Sequence, residues 1–227
     1  MENNLLLRVA PTWKGSLLYG WEKMKSHFLS LFLVVLVCMV LEAPVQSLHR
    51  GVLEDGSLKI LLEFLALVYW LLFFPVIKYS ADLLFVQAVR NETLDLRNIV
   101  IGFKNYLNIV LVHLFVSALI GIALIALIIP GIIVACRLAF VSYLVMDKDL
   151  GPIAAVETSW KMTRGHGWRI FLLGLTSILI GIAGLALCIV GIFPAVIWIK
   201  ASFATLYQAV LNEKNDDPFD GPEASGS

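Results

Sequence analysis

Residues 107–146 read LNIVLVHLFVSALIGIALIALIIPGIIVACRLAFVSYLVM, forty positions with one full charge, Arg137. A bilayer core demands about 20 apolar residues per helical span, at about 1.5 Å of rise each. Forty residues therefore make two spans, 107–129 and 132–146, and the Pro130-Gly131 between them predicts a tight turn. So short a connection forces an antiparallel hairpin. Downstream, a span over 170–190 and another ending near Leu211 are punctuated by Gly191 to Pro194. Upstream lie 28–48, interrupted by Glu42 and Pro44, and 58–77. The expectation is an all-α polytopic membrane protein of six transmembrane helices, with 1–211 as one membrane domain and 212–227 as a disordered acidic cytoplasmic tail.

Composition agrees. Of 227 residues, 59% are hydrophobic and 15% charged, far below the roughly 25% charged of an average soluble domain. Seventeen basic residues balance seventeen acidic ones, so no net field gathers nucleic acid. Cys38, Cys136 and Cys188 lie inside apolar runs without the spacing of a disulfide frame or a zinc site, and read as small core side chains. Val45-Gln46-Ser47 resembles a signal cleavage site, but the segment ahead of the first apolar run is too long for a usual signal n-region.

Lysine and arginine set the orientation, because short loops rich in them stay cytoplasmic. Lys14, Lys23 and Lys25 precede the first span. Arg90, Arg97 and Lys104 separate the second and third, and Lys148, Lys161, Arg164 and Arg169 separate the fourth and fifth. Arg50 and Lys59 fall on the other side, in a loop that also carries Glu54 and Asp55. Both termini are therefore expected in the cytoplasm.

These basic segments share a pattern. SLLYGWEKMKSHF, RNIVIGFKNYLNI and AAVETSWKMTRGHGWRI precede the first, third and fifth spans, and each places a small residue before an aromatic: Gly20-Trp21, Gly102-Phe103, Ser159-Trp160. The predicted unit is an amphipathic helix plus a helical hairpin, three times over. In the first, Trp13, Leu17, Trp21, Met24 and Phe28 recur at helical spacing. In the third, Ile153, Val156, Trp160 and Thr163 do so, entered through Gly151-Pro152. Such helices belong at the headgroup layer, where tryptophan is enriched. Trp13, Trp21, Phe103, Trp160, His166, Trp168 and Arg169 are the expected membrane-interface residues.

Two cations fall where charge is costly. Arg137 stands six residues past Gly131, and Lys200 six past Pro194; counted along unbroken helices, both sit near mid-bilayer. A central arginine or lysine costs about 2.5 to 3.5 kcal/mol, so it should face the bundle interior. Glu42 and Glu63 are the expected partners, with Asp82 a further one beside Lys78. Either these charges form buried salt bridges, or Arg137 and Lys200, with Glu42 and Glu63, line a polar cavity that binds an anionic group. Ser117 with Gly121, and Ser177 with Gly181, have the four-residue spacing of close helix packing.

No catalytic residue, metal site or cofactor motif is found. None of the four histidines has an i, i+4 partner histidine, and no HExxH, GxSxG or phosphate-cradling glycine loop occurs.

The stretches LIIPGIIVACRLAFVSYLVMDKDLGPIAAVETSWKMTRGHGWRIFLLGL, FFPVIKYSADLLFVQAV, DLRNIVIGFKNY and IFPAVIWIKASFATLYQAVL resemble bacterial integral membrane proteins of the uncharacterised DUF975 type and the related membrane domain of glycerophosphoryl diester phosphodiesterases. The resemblance implies a six-helix domain in the bacterial inner membrane. Some relatives join that domain to a soluble phosphodiesterase barrel, for which the short tail here leaves no room, so hydrolysis is not implied. The expectation is a non-enzymatic scaffold or accessory protein that meets membrane lipids and another membrane or cytoplasmic protein. The alternative is a small transporter or lipid-handling protein built on Arg137 and Lys200.

Overall fold

The computed structural model describes residues 11–49 and 57–216. Arg50, Glu54 and Asp55 lie outside the described residues, as does 217–227 of the expected tail. Among the described residues the ordered elements are helical. They are α1 (Trp13–Ser26), α2 (Phe28–His49), α3 (Ser57–Leu72), α4 (Phe74–Val89), a 3-10 helix (Leu96–Asn105), α5 (Tyr106–Ala126), α6 (Ile128–Arg137), α7 (Val141–Lys148), α8 (Pro152–Met162), α9 (Gly167–Ala186) and α10 (Cys188–Asp216). The last helix continues through residues 212–216, which were expected to begin the tail.

Among the described residues five helical stretches are long and apolar enough to cross a membrane: Lys59–Val89, Ile101–Ala126, Ile128–Lys148, Gly167–Ala186 and Gly191–Lys214. A sixth is reached if α1 and the first part of α2, which meet at 95°, count as one bent span. That right angle is the geometry of a short helix lying across the foot of a spanning one.

The turns differ from the sequence reading. The α5–α6 reversal falls at Leu127, whose φ of −165° and ψ of 145° are extended, and α6 begins at Ile128. Pro130 thus sits in the first turn of α6, where no backbone N–H is needed. Gly131 lets α5 come close, since a Cβ there would lie 2.9 Å from the Leu124 Cα. Likewise α9 ends at Ala186, and Pro194 lies inside α10 rather than before it. The spacing Ser117/Gly121 and Ser177/Gly181 does not mark tight seams: a Cβ on Gly121 or Gly181 would meet nothing within 4 Å. The close approach at the second hairpin is instead between Gly184 and Gly191, where a Cβ on Gly184 would lie 2.8 Å from the Gly191 carbonyl.

The core centres on α4, α7 and α10. Val76, Leu84, Phe85, Val86, Phe140, Leu144, Ile197, Leu206 and Tyr207 are all 0–1% exposed. Tyr207 stacks on Tyr143 at 5.1 Å and meets the edge of Phe140 at 5.7 Å. The outward faces of α3, α5 and α9 keep large apolar side chains exposed, among them Phe64, Ile125 and Ile178. Such surface suits acyl chains and not water.

Candidate functional site

Each short helix turns its small residue inward. Gly20 of α1 lies against Ser202 of α10, and a Cβ on it would fall 2.7 Å from the Ser202 backbone nitrogen. Beside it the Trp198 indole donates to the Leu17 carbonyl at 2.8 Å. Gly102 donates its N–H to the Ser80 hydroxyl of α4 at 3.1 Å. In α8, the Ser159 and Thr163 hydroxyls donate to the Arg137 carbonyl at 2.7 and 3.3 Å.

The aromatic that follows each small residue stays outside: Trp21 is 40% exposed, Phe103 43% and Trp160 38%. The buried face of α8 is therefore Ala155, Ser159 and Met162, while Ile153 is exposed. In α1 it is Ser16, Leu17, Gly20, Lys23 and Met24. Leu17 and Met24 of the first stripe and Thr163 of the third are buried as read, but the aromatics of both stripes give way to the small residues beside them, because close contact selects small side chains before large ones.

Lys200 finds a partner within the bundle. Its ammonium donates to Asp82 of α4 at 2.5 Å, with the carboxylate side chain only 5% exposed. The partner is thus Asp82 rather than Glu42 or Glu63. Glu42 does line a cavity of about 270 Å³ together with Cys38, Lys78 and Lys200. Glu63, half-buried on α3, is not among the residues lining it.

A second cavity, about 470 Å³, shares Lys78 and Lys200 and adds Asp82, His113, Ser117, Ser142 and Tyr143 from α4, α5 and α7. Its charged walls are two lysines against one carboxylate. Among the described residues Lys78 forms no ion pair, while Lys200 is held by Asp82. His113 stands with its ring edge-on to Trp70 and Tyr79, at 6.4 and 6.2 Å.

Arg137 lies elsewhere. It ends α6, and Leu138–Phe140 form a turn before α7. The turn interrupts the helix but leaves Ile128–Lys148 as one stretch long enough to cross a membrane, with Arg137 near its middle. Its guanidinium carbon sits 5.8 Å from the centre of the Trp160 ring. It lines a groove with Trp168 and Phe171 of α9, which neither Lys78 nor Lys200 enters. The structure thus does not bring Arg137 and Lys200 to one cavity.

The same ends of α4, α7 and α10 carry a knot that the sequence did not announce. Arg90 donates to both Asp147 oxygens, at 2.5 and 2.8 Å, and to Gln208 at 2.7 Å. The Tyr207 hydroxyl donates to Asp147 at 2.8 Å. The sequence places Arg90 in a loop between spans, and its partners are 57 and 118 residues away.

At the start of α9, His166 Nδ1 lies 2.8 Å from Arg169 Nη1, and its Nε2 lies 3.8 Å from Glu213. Burial pushes this imidazole below its ordinary value, and Arg169 and Lys214 push the same way against the opposing pull of Glu213. Neutral His166 suits the contact, since Arg169 can only donate and Nδ1 must accept. Trp168 is 69% exposed, while Trp13 is half-buried. Among the described residues no three histidine, cysteine, aspartate or glutamate side chains gather closely enough to hold a metal ion.

No curated protein and no solved structure matches this chain. The expected link to the membrane domain of glycerophosphoryl diester phosphodiesterases is not shown by any match. From within α5 to the end of α10, residues 114–214 match the family described as a protein of unknown function (DUF975), and over that stretch the chain is similar to it.

Proposed function

We propose that this protein spans the membrane and holds an anionic group, carboxylate or phosphate, in the cavity between α4, α5, α7 and α10, without chemical conversion. Lys78 carries the reading. It is a cation on the wall of two adjoining cavities, and the nearby carboxylate Asp82 is already engaged by Lys200. Lys78 is exposed beside the mostly apolar walls of these cavities, and an ammonium so placed gains when an anion completes its shell. Ser117, Ser142 and His113 supply the neutral polar groups that orient such a guest. Among the described residues no hydrogen bond joins Ser117 or Ser142 to His113 at the cavity wall, which favours a binding or transport reading over catalysis.

The short helices are proposed to face the cytoplasm of a bacterial cell, as the lysine and arginine distribution favours. They are also proposed to be three copies of one unit, each seated on a second span: Gly20 at Ser202, Gly102 at Ser80, and Ser159 at Arg137. An accessory role has one observation in its favour, the exposed Trp21, Phe103 and Trp160 of those helices. Their rings suit lipid headgroups or a docked protein.

The test is a thermal-shift panel on purified protein in neutral detergent, with small carboxylates and phosphate monoesters set against their uncharged analogues. Stabilisation by the anions alone is expected, kept in Lys78→Arg and lost in Lys78→Gln. Equal response of the wild type and Lys78→Gln would sink the assignment.

A further inference from the structure

We infer that the groove between α6 and α9 is a binding site for an anionic membrane lipid, with the lipid phosphate on Arg137 and an acyl chain along the seam. This site is separate from the cavity of Lys78 and Lys200.

Arg137 lacks what a guanidinium in apolar surroundings requires. Its Nη1 is enclosed and has no hydrogen-bond partner among the described residues. Among those residues it forms no ion pair, and its one charge-related contact is the face of Trp160 at 5.8 Å. The neighbouring Arg169 is already engaged by His166 and lies 3.8 Å from Glu213. The Arg137 main chain is fixed by Ser159 and Thr163 at its carbonyl, so the side chain leaves from a fixed point.

The rest of the groove is apolar. Ile129, Ile132, Ile133, Trp168 and Phe171 line about 500 Å³ beside Arg137, a volume in the range of small-molecule sites. A second apolar groove of about 360 Å³ shares Ile132, Cys136 and Phe171 with it and runs on to Leu175 and Ile178. The paired grooves extend well beyond the reach of a small soluble anion. Exposed Ile133, Trp168 and Ile178 border them, on a surface that suits lipid. One cation at the end of a long apolar trough is complementary to a phosphate carrying an acyl chain.

Native mass spectrometry of the detergent-purified protein tests this with three added probes: phosphatidylglycerol, phosphatidylcholine of the same acyl chains, and glycerol phosphate. One phosphatidylglycerol should be retained at least tenfold more tightly than phosphatidylcholine, and glycerol phosphate should not bind measurably. Arg137→Gln should abolish the tenfold preference, and Arg137→Lys should keep part of it. If Arg137→Gln fails to fold, Ile133→Trp fills the trough with Arg137 in place and should lower phosphatidylglycerol retention at least tenfold. Equal retention of the two lipids, a preference that survives Arg137→Gln, retention that survives Ile133→Trp, or glycerol phosphate bound as tightly as the lipid would each overturn the inference.

Discussion

Replacing Asp147 by asparagine should loosen the bundle at the point where α4, α7 and α10 meet. The carboxylate accepts from both terminal nitrogens of Arg90 and from the Tyr207 hydroxyl, at 2.5 to 2.8 Å, and its side chain is 6% exposed. An asparagine keeps one acceptor oxygen and turns an amide donor toward a guanidinium that can only donate. Removing one member of a buried pair costs about 3 to 5 kcal/mol, and partial access of water to Arg90 reduces this to about 2 to 3 kcal/mol. Arg90 is 20% exposed and keeps Glu92 at 4.0 Å, which is why the lower figure applies. At about 2 to 4 °C per kcal/mol for a chain of this length, the melting midpoint should fall by about 4 to 12 °C. Near-ultraviolet circular dichroism of the detergent-solubilised protein reads this directly, because Tyr143 and Tyr207 stack beside the pair. Arg90→Gln with Asp147→Asn should cost less than the two changes summed, by about 1 kcal/mol or more. A midpoint lowered by under about 2 °C, or strict additivity in the double variant, would refute the assignment of the knot.

Gly20→Val should detach α1 from α10, since the new Cβ would fall 2.7 and 2.8 Å from Ser202 backbone atoms that cannot swing aside; overpacking of this kind costs about 1 to 3 kcal/mol. Hydrogen exchange should then rise across Trp13–Ser26, whereas Gly121→Val, placed in open space, should change nothing there. His166 has a folded-state value below its ordinary one, so the unfolded chain binds the extra proton first. Its contribution is therefore complete above about pH 6.5 and is lost as pH falls through the lower, folded value. Melting midpoints followed from pH 7.5 to 5 should decline more steeply in wild type than in His166→Gln, and parallel curves would count against a buried, neutral His166.

The apolar runs made the spans legible because lipid leaves a chain few alternatives: every backbone group must be paired within its own segment. Hairpins followed from the short connections expected at Pro130-Gly131 and Gly191 to Pro194, although the reversals fall at Leu127 and Leu187. What escaped was non-local. Arg90 and Gln208 are 118 residues apart and neither carries a local signature of the other, whereas Asp82 is among the partners the sequence offers Lys200, although Glu42 and Glu63 come ahead of it there. The break after Arg137 contains no proline or glycine, so nothing in the run Leu138–Phe140 marks it. It persists because Ser159 and Thr163 satisfy the carbonyl that it frees. The Gly-Trp, Gly-Phe and Ser-Trp pairs were visible, but their inward side was not. Aromatic periodicity pointed to the bulky residues, while contact with a neighbouring backbone belongs to the small ones.

The knot and the cavity occupy the same helices, and this links stability to binding. Lys78 stands 12 residues before Arg90 on α4, and Lys200 stands 8 before Gln208 on α10. At about 1.5 Å per residue these are lever arms of about 18 and 12 Å from the Arg90–Gln208 contact. A small tilt of α4 against α10 at that contact is therefore enlarged toward Lys78. The Lys200–Asp82 pair joins the same two helices part-way along. On the proposed function, an anion held at Lys78 would act on α4 beyond both ties, and its affinity would depend on how firmly they hold α4 to α10. Loosening Asp147 should therefore weaken anion binding at Lys78 even though the two residues sit at opposite ends of the lever.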